Sequence, residues 1–389
     1  MGFNYVILGA GRQGVALAYD LARRGDAARI TLADLDHRTG QSAVSRLAAL
    51  LPDSSCRITA AACDVSQPAE VAPVLSGADV VLSAVPYRFN LALTDVALAA
   101  GASFCDLGGN TAVVKQQLAR HKRAAAAGVS IVPDCGLAPG LGNLLAAHGM
   151  ALLDEPEHAH IRCGGLPQTP VGPLGYKLVF NFDGLINEYS GCGEFLRDGQ
   201  RVEVPALTEL EEIEFPPPLG KCEAAVTSGG TSVCAETFAG RLKTFDYKTV
   251  RYPGHFAIIR ALFALGCLED EVTLPDGSRA RPRALLRHLM EQRLTYPDVR
   301  DLVVLRCTVS GRHQGRPCTR QYDLLDRQDE RTGFTAMERT TAFPAALVAY
   351  MQARKLVEPG ARPLEVAIPV RQYFDELAAH EIDVRVHVG

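Results

Sequence analysis

VILGAGRQGVALAYDLARRG (residues 6–25) sets three glycines, Gly9, Gly11 and Gly14, between a β-rich run and a stretch of alanine and leucine. At a strand–turn–helix junction the first glycine makes the tight turn and the second lets backbone approach a pyrophosphate. The third lets the helix pack closely on the strand, and the helix N-terminus attracts the anion. Arg12 and Gln13, inside the same turn, are expected to line the nucleotide with them. A lone G-x-G-x-x-G is a weak signal. It gains weight from ITLAD (residues 30–34), a second strand-like run ending in Asp34, 20 residues beyond Gly14, where a carboxylate binds the adenosine ribose hydroxyls. Such a carboxylate repels a 2′-phosphate, so NAD is the expected cofactor, with Arg38 keeping NADP open. The same glycines also suit a Rossmann-like domain that binds another nucleotide or none.

Outward from this stretch, β-rich runs at 58–61, 80–83, 103–106 and 130–133 alternate with helical patterns such as 14–25 and 111–128. That alternation predicts a parallel sheet covered on both faces: an α/β, doubly wound N-terminal Rossmann domain over residues 1–134. Ligands in such folds gather at the carboxyl ends of the strands. Asp64 and Val65 are then expected beside the adenine, and Ala84, Val85 and Pro86 along the cofactor toward the nicotinamide ribose. DCGLAPGLGN (residues 134–143) is expected to floor the nicotinamide, with Gly136 and Pro139 in the close-approach turn; a domain-hinge loop is a compatible reading. After residue 153 longer runs follow, HAHIRCGGLP, YKLVFNFDG, EAAVTSGG, LVVLRCTVSGR and CTRQYDLLDR. Several alternate polar and apolar residues, as an antiparallel sheet with one solvated or subunit-facing side does. Helices are expected at 254–265 and 283–291. Residues 135–339 thus read as a second α+β domain with a largely antiparallel sheet, for substrate binding and oligomerisation. The segment 340–389, opening on the helical pattern TTAFPAALVAYMQARKLV, is expected to return and complete the first domain.

A chain of 389 residues is too long for one core. Apolar residues at 47% and charged residues at 22% are ordinary for a soluble globular protein. A net charge of -4 draws neither nucleic acid nor an anionic membrane. Apolar runs end short of the ~20 residues a bilayer needs, and MGFNYVILGAG enters a strand without a basic n-region and cleavage site, so a cytoplasmic protein is expected. The 11 cysteines are scattered singly, against a disulfide framework and against a zinc ribbon. His158 and His160 alternate on one strand without a third ligand at a useful spacing, so no metal is expected.

Several further stretches converge on one family. DCGLAPGLGN, CGGLP (163–167), PLGYKLVFNFDGLINEYS (173–190), VPALTELEEIEFP (204–216), TSGGTS (227–232), KTVRYPGHF (248–256) and MERTTAFPAA (337–346) occur in this order. The chain resembles the saccharopine dehydrogenase-like family over essentially its whole length, and most closely its lysine 6-dehydrogenase branch. The resemblance implies NAD-dependent oxidative deamination of the ε-amine of L-lysine. Ammonia is released, and the product, 2-aminoadipate 6-semialdehyde, cyclises to a piperideine carboxylate. Saccharopine-forming relatives have a similar stretch with Arg where this chain has Asp183; an aspartate there favours a free ammonium or plain solvent contact.

Amine oxidation needs a neutral amine to release hydride, then water attack on the imine. The site therefore needs a proton acceptor near the C–N bond and a clamp for the substrate carboxylate. Lys177, flanked by Leu178 and Val179, is the first candidate for a polar group in the cleft, its ammonium destabilised by desolvation; an outward-facing strand lysine is the alternative. His255 suits proton acceptance, against a capping or structural role at a helix start. Arg251, Arg312 or Arg320 could clamp the carboxylate bidentately. Tyr252, Tyr176 and Asp106 are candidate contact and orienting groups. Thr340 and Thr341 suit helix capping; the resemblance places Thr341 near the cofactor. The expected assembly is a homodimer or higher homo-oligomer. The rival readings are a saccharopine- or carboxynorspermidine-type C–N oxidoreductase and a catalytically silent NAD-binding regulator.

Overall fold

The computed structural model describes residues 2–180 and 182–389. β1 (Phe3–Leu8), β2 (Ala27–Asp34), β3 (Arg57–Ala62), β4 (Val80–Ser83), β5 (Ser103–Asp106) and β6 (Ser130–Val132) form a parallel sheet in the order β6-β5-β4-β1-β2-β3. The order reverses between β1 and β4, the switch point at which doubly wound sheets bind ligands. Helices on both faces bury the central strands, whose residues Tyr5 to Leu8 and Val80 to Leu82 are almost wholly enclosed.

The second sheet is mixed and centres on β7 (Glu155–Pro167). The hairpin β8 (Cys192–Arg197) and β9 (Gln200–Pro205), then β10 (Glu211–Phe215), β11 (Gly220–Val226) and β12 (Thr244–Arg251) lie to one side. A small separate hairpin, β13 (Val272–Thr273) and β14 (Arg279–Ala280), precedes β15 (Asp301–His313) and β16 (Arg316–Arg327) on the other side. β12 runs parallel to β7; the other ladders of this sheet are antiparallel.

The chain then returns. Helix Ala336–Ala353 packs against helix Arg12–Arg24, and Gln352 Nε2 donates to the carbonyls of Phe104 and Ser130. β17 (Gly360–Ala361) extends the first sheet beside β6. β18 (Val384–Val388) instead pairs with β16, so the segment 340–389 is shared between the two sheets rather than completing the first alone. One apolar cluster runs through both domains. Helix Leu141–Ala151 lies within it, with Gly142 against Ile161 and Leu305 and Gly149 against Val309.

YKLVFNFDG, expected as a strand, is irregular chain that bends at Val179 and Phe180, followed by helix Phe182–Glu188; Asn181 and Met1 lie outside the described residues. Phe182, Leu185, Ile186 and Tyr189 recur at helical spacing and are all buried, which decides the element in favour of helix. The expected helix 111–128 is two helices, Thr111–Leu118 and His121–Ala127. Among the described residues no helix is long and apolar enough to cross a membrane.

Candidate functional site

The first wall of the site is the glycine turn. Gly9 has φ +101°, and a Cβ on Gly14 would lie 1.8 Å from the Gly9 carbonyl oxygen, so both positions require glycine. Gly11 is the N-cap of helix Arg12–Arg24 without a side-chain cap, and the space where its Cβ would stand is open. The first-turn N–H groups therefore face a crevice with anion-binding polarity. Asp34, at the end of β2, accepts the Ala10 N–H at 2.8 Å and holds the turn from below. Ala84 and Val85 lie directly against Gly9. Asp64 is half-buried and accepts from the Ser66 N–H, and hydrogen bonding from the Ser66 side chain and then its backbone holds its carboxyl below the usual range. These groups fit a dinucleotide: a turn without side chains for the pyrophosphate and a strand-end carboxylate for the ribose. Arg12 and Gln13 are tied to the returning helix, Arg12 through Glu338 at 2.5 Å and Gln13 through the Met337 carbonyl.

The second wall is the loop 134–143. A Cβ on Gly140 (φ +141°) would meet the Gly136 carbonyl oxygen at 1.8 Å, and one on Gly136 would press on the Leu107 carbonyl and the Thr341 methyl. Backbone thus meets backbone here without intervening side chains, and Thr341, Gly136, Pro139 and Gly108 are brought together. Asp106 organises the loop: its Oδ1 accepts from the N–H groups of Gly108 and Asp134, and its Oδ2 from Gln117 at 2.7 Å. Asp134 (φ +63°) accepts from the Ser232 hydroxyl, which belongs to the second domain. Burial pushes both carboxyls above their ordinary range, and for Asp134 the neighbouring Asp106 adds to the shift.

The second domain contributes a buried polar cluster. Arg251, 1% exposed, donates through Nε to the Tyr189 hydroxyl at 2.9 Å and through Nη1 to the Val250 carbonyl, and lies over the Tyr176 ring. The Tyr189 hydroxyl is 2.8 Å from His255 Nε2, and His255 Nδ1 is 3.1 Å from the Leu174 carbonyl. A carbonyl only accepts, so the proton is on Nδ1 and Nε2 accepts from Tyr189. Burial, with Arg251 acting in the same direction, pushes His255 down to about 3. Glu223 caps helix His255–Ala264 by accepting from the Gly254 and Phe256 N–H groups. Glu188, the last residue of its helix, stands 3.5 Å from Arg251 Nη2 with 28% of its side chain open.

These placements correct several expectations. His255 is 1% exposed and fully bonded, so it shapes the cluster and is sealed from any substrate. Lys177 donates to the carbonyls of Tyr296 and Val299, and burial lowers its pKa. It pins the chain after helix Pro282–Arg293. Asp183 is exposed and paired with Arg287 and Arg283. Arg312 bonds the Gly315 carbonyl at the far tip of β15; eleven residue steps from Asp301, it is roughly 35 Å away along the strand. Tyr252 donates to the Pro167 carbonyl. Asp106 is 2% exposed and acts on the loop rather than on a ligand. Sequence reasoning missed Glu188 and Glu223, and placed Asp134 at the head of the loop 134–143 without a role for its carboxyl. For Glu188 the available signal was the helical spacing that ends at Tyr189.

Residues 5–132 match the saccharopine dehydrogenase NADP binding domain family and residues 136–382 the saccharopine dehydrogenase C-terminal domain family. The chain is similar to saccharopine dehydrogenase (NADP(+), L-glutamate-forming) of Schizosaccharomyces pombe, 26% identical over 224 residues, 54% of this chain and 48% of that protein. It is also similar to the Saccharomyces cerevisiae protein of the same name, 24% identical over 290 residues, 70% of this chain and 60% of that protein. The chain thus aligns with about half to three-fifths of the length of these curated relatives. The apo saccharopine dehydrogenase (L-Glu forming) structure from Saccharomyces cerevisiae superposes with a TM-score of 0.79 at 19% identity, covering 100% of both chains. That likeness shows the shared fold.

Proposed function

Because the chain belongs to the saccharopine dehydrogenase family, we propose that it is an amino acid oxidoreductase acting on a C–N bond, and specifically an NAD-dependent L-lysine 6-dehydrogenase. Gly9, Gly11 and Gly14, with Arg12 and Gln13, would hold the dinucleotide's pyrophosphate side, Asp34 its adenosine ribose, and Asp64 and Val65 its adenine. Ala84, Val85, Pro86, Gly136, Pro139 and Thr341 would line the nicotinamide end. The bound cofactor supplies a hydride acceptor; the chain binds and orients the amine and manages its protons.

The observation that carries the lysine reading is the charge at the end of helix Phe182–Glu188. Arg251 is engaged on Tyr189 and Val250, while the carboxylate of Glu188 in front of it stays open. An open carboxylate suits a free ammonium, whereas a lysine–glutamate conjugate brings three carboxylates that need cations. Asp34 supports NAD over NADP through repulsion of a 2′-phosphate. The second reading, a saccharopine- or carboxynorspermidine-type enzyme, is favoured by the names of the curated relatives, which are NADP(+)-linked.

The test follows reduced nicotinamide absorbance with NAD or NADP and a panel of L-lysine, L-ornithine, saccharopine and carboxynorspermidine. Reduction with L-lysine and NAD, with release of ammonia, is the expected result. Turnover of saccharopine alone transfers the function to the second reading, and binding of NAD without any turnover leaves a silent regulator. Asp34→Ala is expected to lower affinity for NAD at least tenfold in a fluorescence titration and to narrow the preference over NADP.

The proposal includes a homo-oligomer. Helix His255–Ala264 carries apolar residues on its outer side as well as its inner one, with Arg260 exposed among them. Ala257, Ile258, Ala261 and Ala264 are exposed, and Leu265 just beyond its end is 78% exposed. Exposed apolar residues grouped on one face mark an interaction surface, and a second copy of the chain crossing on its alanines would cover it.

A further inference from the structure

The geometry points to Glu188 as the residue that receives the substrate's ammonium in the cleft and accepts its proton before the C–N bond is oxidised. The inference rests on the C–N oxidoreductase reading above and names a residue that neither the motifs nor the family resemblance singled out.

Glu188 ends helix Phe182–Glu188, with its carboxylate beside Arg251 at the end of β12. Its charge is felt by Arg251 and Tyr247 of β12, Cys163 of β7, Tyr176 from the preceding loop and its own neighbour Tyr189. One of these is a cation, and its contact is loose: Arg251 Nη2 is 3.5 Å away, while Arg251 Nε and Nη1 are taken by Tyr189 and Val250. Among the described residues no hydrogen-bond donor is closer. A carboxylate so enclosed and still 28% open has acceptor capacity left over. An enclosed, incompletely paired carboxylate is costly unless a ligand completes it.

The segment 227–232 links the backbone of Glu188 to the cofactor wall. The Ser228 N–H donates to the Glu188 carbonyl at 2.8 Å, and Ser232 bonds Asp134 at the head of the loop 134–143. Four residues of chain span at most about 14 Å, which keeps the end of helix Phe182–Glu188 within reach of the head of the loop 134–143. Burial pushes the Glu188 carboxyl up to about 7, with Arg251 pulling in the other direction. Glu188 is therefore poised to exchange a proton near neutral pH.

The step balances as follows. An N–H bond of the ammonium breaks and its proton passes to a Glu188 oxygen. The freed lone pair forms the C=N bond as the hydrogen on carbon departs with two electrons to oxidised nicotinamide. Water then adds to the C=N bond, and ammonia leaves.

The experiment compares the full-length wild type with Glu188→Gln and Glu188→Asp. Kinetics are read as kcat/KM against pH on whichever panel amine the wild type oxidises. Binding of L-lysine in the presence of reduced cofactor, with which it cannot react, is read separately by calorimetry across pH 5–9. The inference predicts an acidic limb near pH 7 in the wild type that is missing from Glu188→Gln. It also predicts a roughly 10²- to 10⁴-fold loss of kcat/KM and at least tenfold weaker binding of lysine, with NAD binding unchanged. Glu188→Asp restores part of the rate and keeps the limb, a result that loss of a purely structural counter-ion to Arg251 does not give. If Glu188→Gln retains the limb and its rate within threefold, the inference fails while the proposed function stands. If the wild type oxidises no amine the proposed function fails, and calorimetry then decides the ammonium site alone: lysine binding equal in wild type and Glu188→Gln, or absent from both, overturns it.

Discussion

Two carboxyl groups meet at the ends of β5 and β6, and the chain solvates them unequally. Asp106 accepts three hydrogen bonds, whereas Asp134 accepts from Ser232 and faces Asp106. Burial and this like-charge neighbour raise the Asp134 pKa in the folded state. A raised folded pKa gives stability that is full below the unfolded carboxylate pKa and is lost as pH rises through the folded one. The wild type is therefore expected to lose on the order of 2–4 kcal/mol between pH 4 and neutrality or above from this residue. Asp134→Asn, which stays neutral, should flatten that part of the slope. Urea unfolding of both proteins over a pH series measures it, and parallel slopes would refute it. At this scale the sequence displayed what spacing encodes: Gly9, Gly11, Gly14 and Asp34 lie where a fixed offset puts them. It did not display what packing encodes. Nothing in HFAII announces that His255 is sealed at both nitrogens, and nothing in INEYS marks Glu188 as open, because neighbours 60 residues away in sequence decide both.

Helix Ala336–Ala353 shows how an element is fixed by its ends. Thr335 and Glu338 form a reciprocal capping box. Asp301, arriving from the start of β15, accepts from the N–H groups of Ala336 and Met337 at 2.8 and 3.0 Å. Asp301→Ala strips two charge-assisted bonds from buried donors and is expected to cost about 2–4 kcal/mol. Thr335→Ala is expected to cost about 1 kcal/mol. Chemical denaturation ranks them, and equal costs would show that Asp301 adds nothing beyond an ordinary cap. Because Met337 and Glu338 hold Gln13 and Arg12, the Asp301 variant should also bind NAD more weakly. Elements were legible where periodicity was clean, as in the β-α alternation before residue 134. The β8–β9 hairpin went unread although Asp198-Gly199, both at positive φ, forms the two-residue turn that such hairpins favour. YKLVF looked like a strand because its apolar run is too short to show whether two- or four-residue spacing governs it.

For the whole molecule, the outward alanine face of helix His255–Ala264 makes self-association the measurable property. Light scattering on a sizing column is expected to give a dimer or larger species, and Ile258→Glu with Leu265→Glu to shift it toward monomer. A monomeric wild type at micromolar concentration would dismiss this face as an interface. The two-domain architecture was legible from length and from the change of rhythm after residue 153, but the splitting of the C-terminal segment between two sheets was not. β18 carries no feature that distinguishes pairing with β16 from pairing with the first sheet.

The helix that closes over helix Arg12–Arg24 is made long after it. At roughly 5–20 residues per second, the N-terminal sheet would wait about 10–40 s after emerging from the ribosome before that cover arrives. During that interval Tyr19 has yet to meet Phe334 and Phe343, which later enclose its ring. The newborn N-terminal half is thus sticky on one side, and a ribosome-bound chaperone has a natural client there.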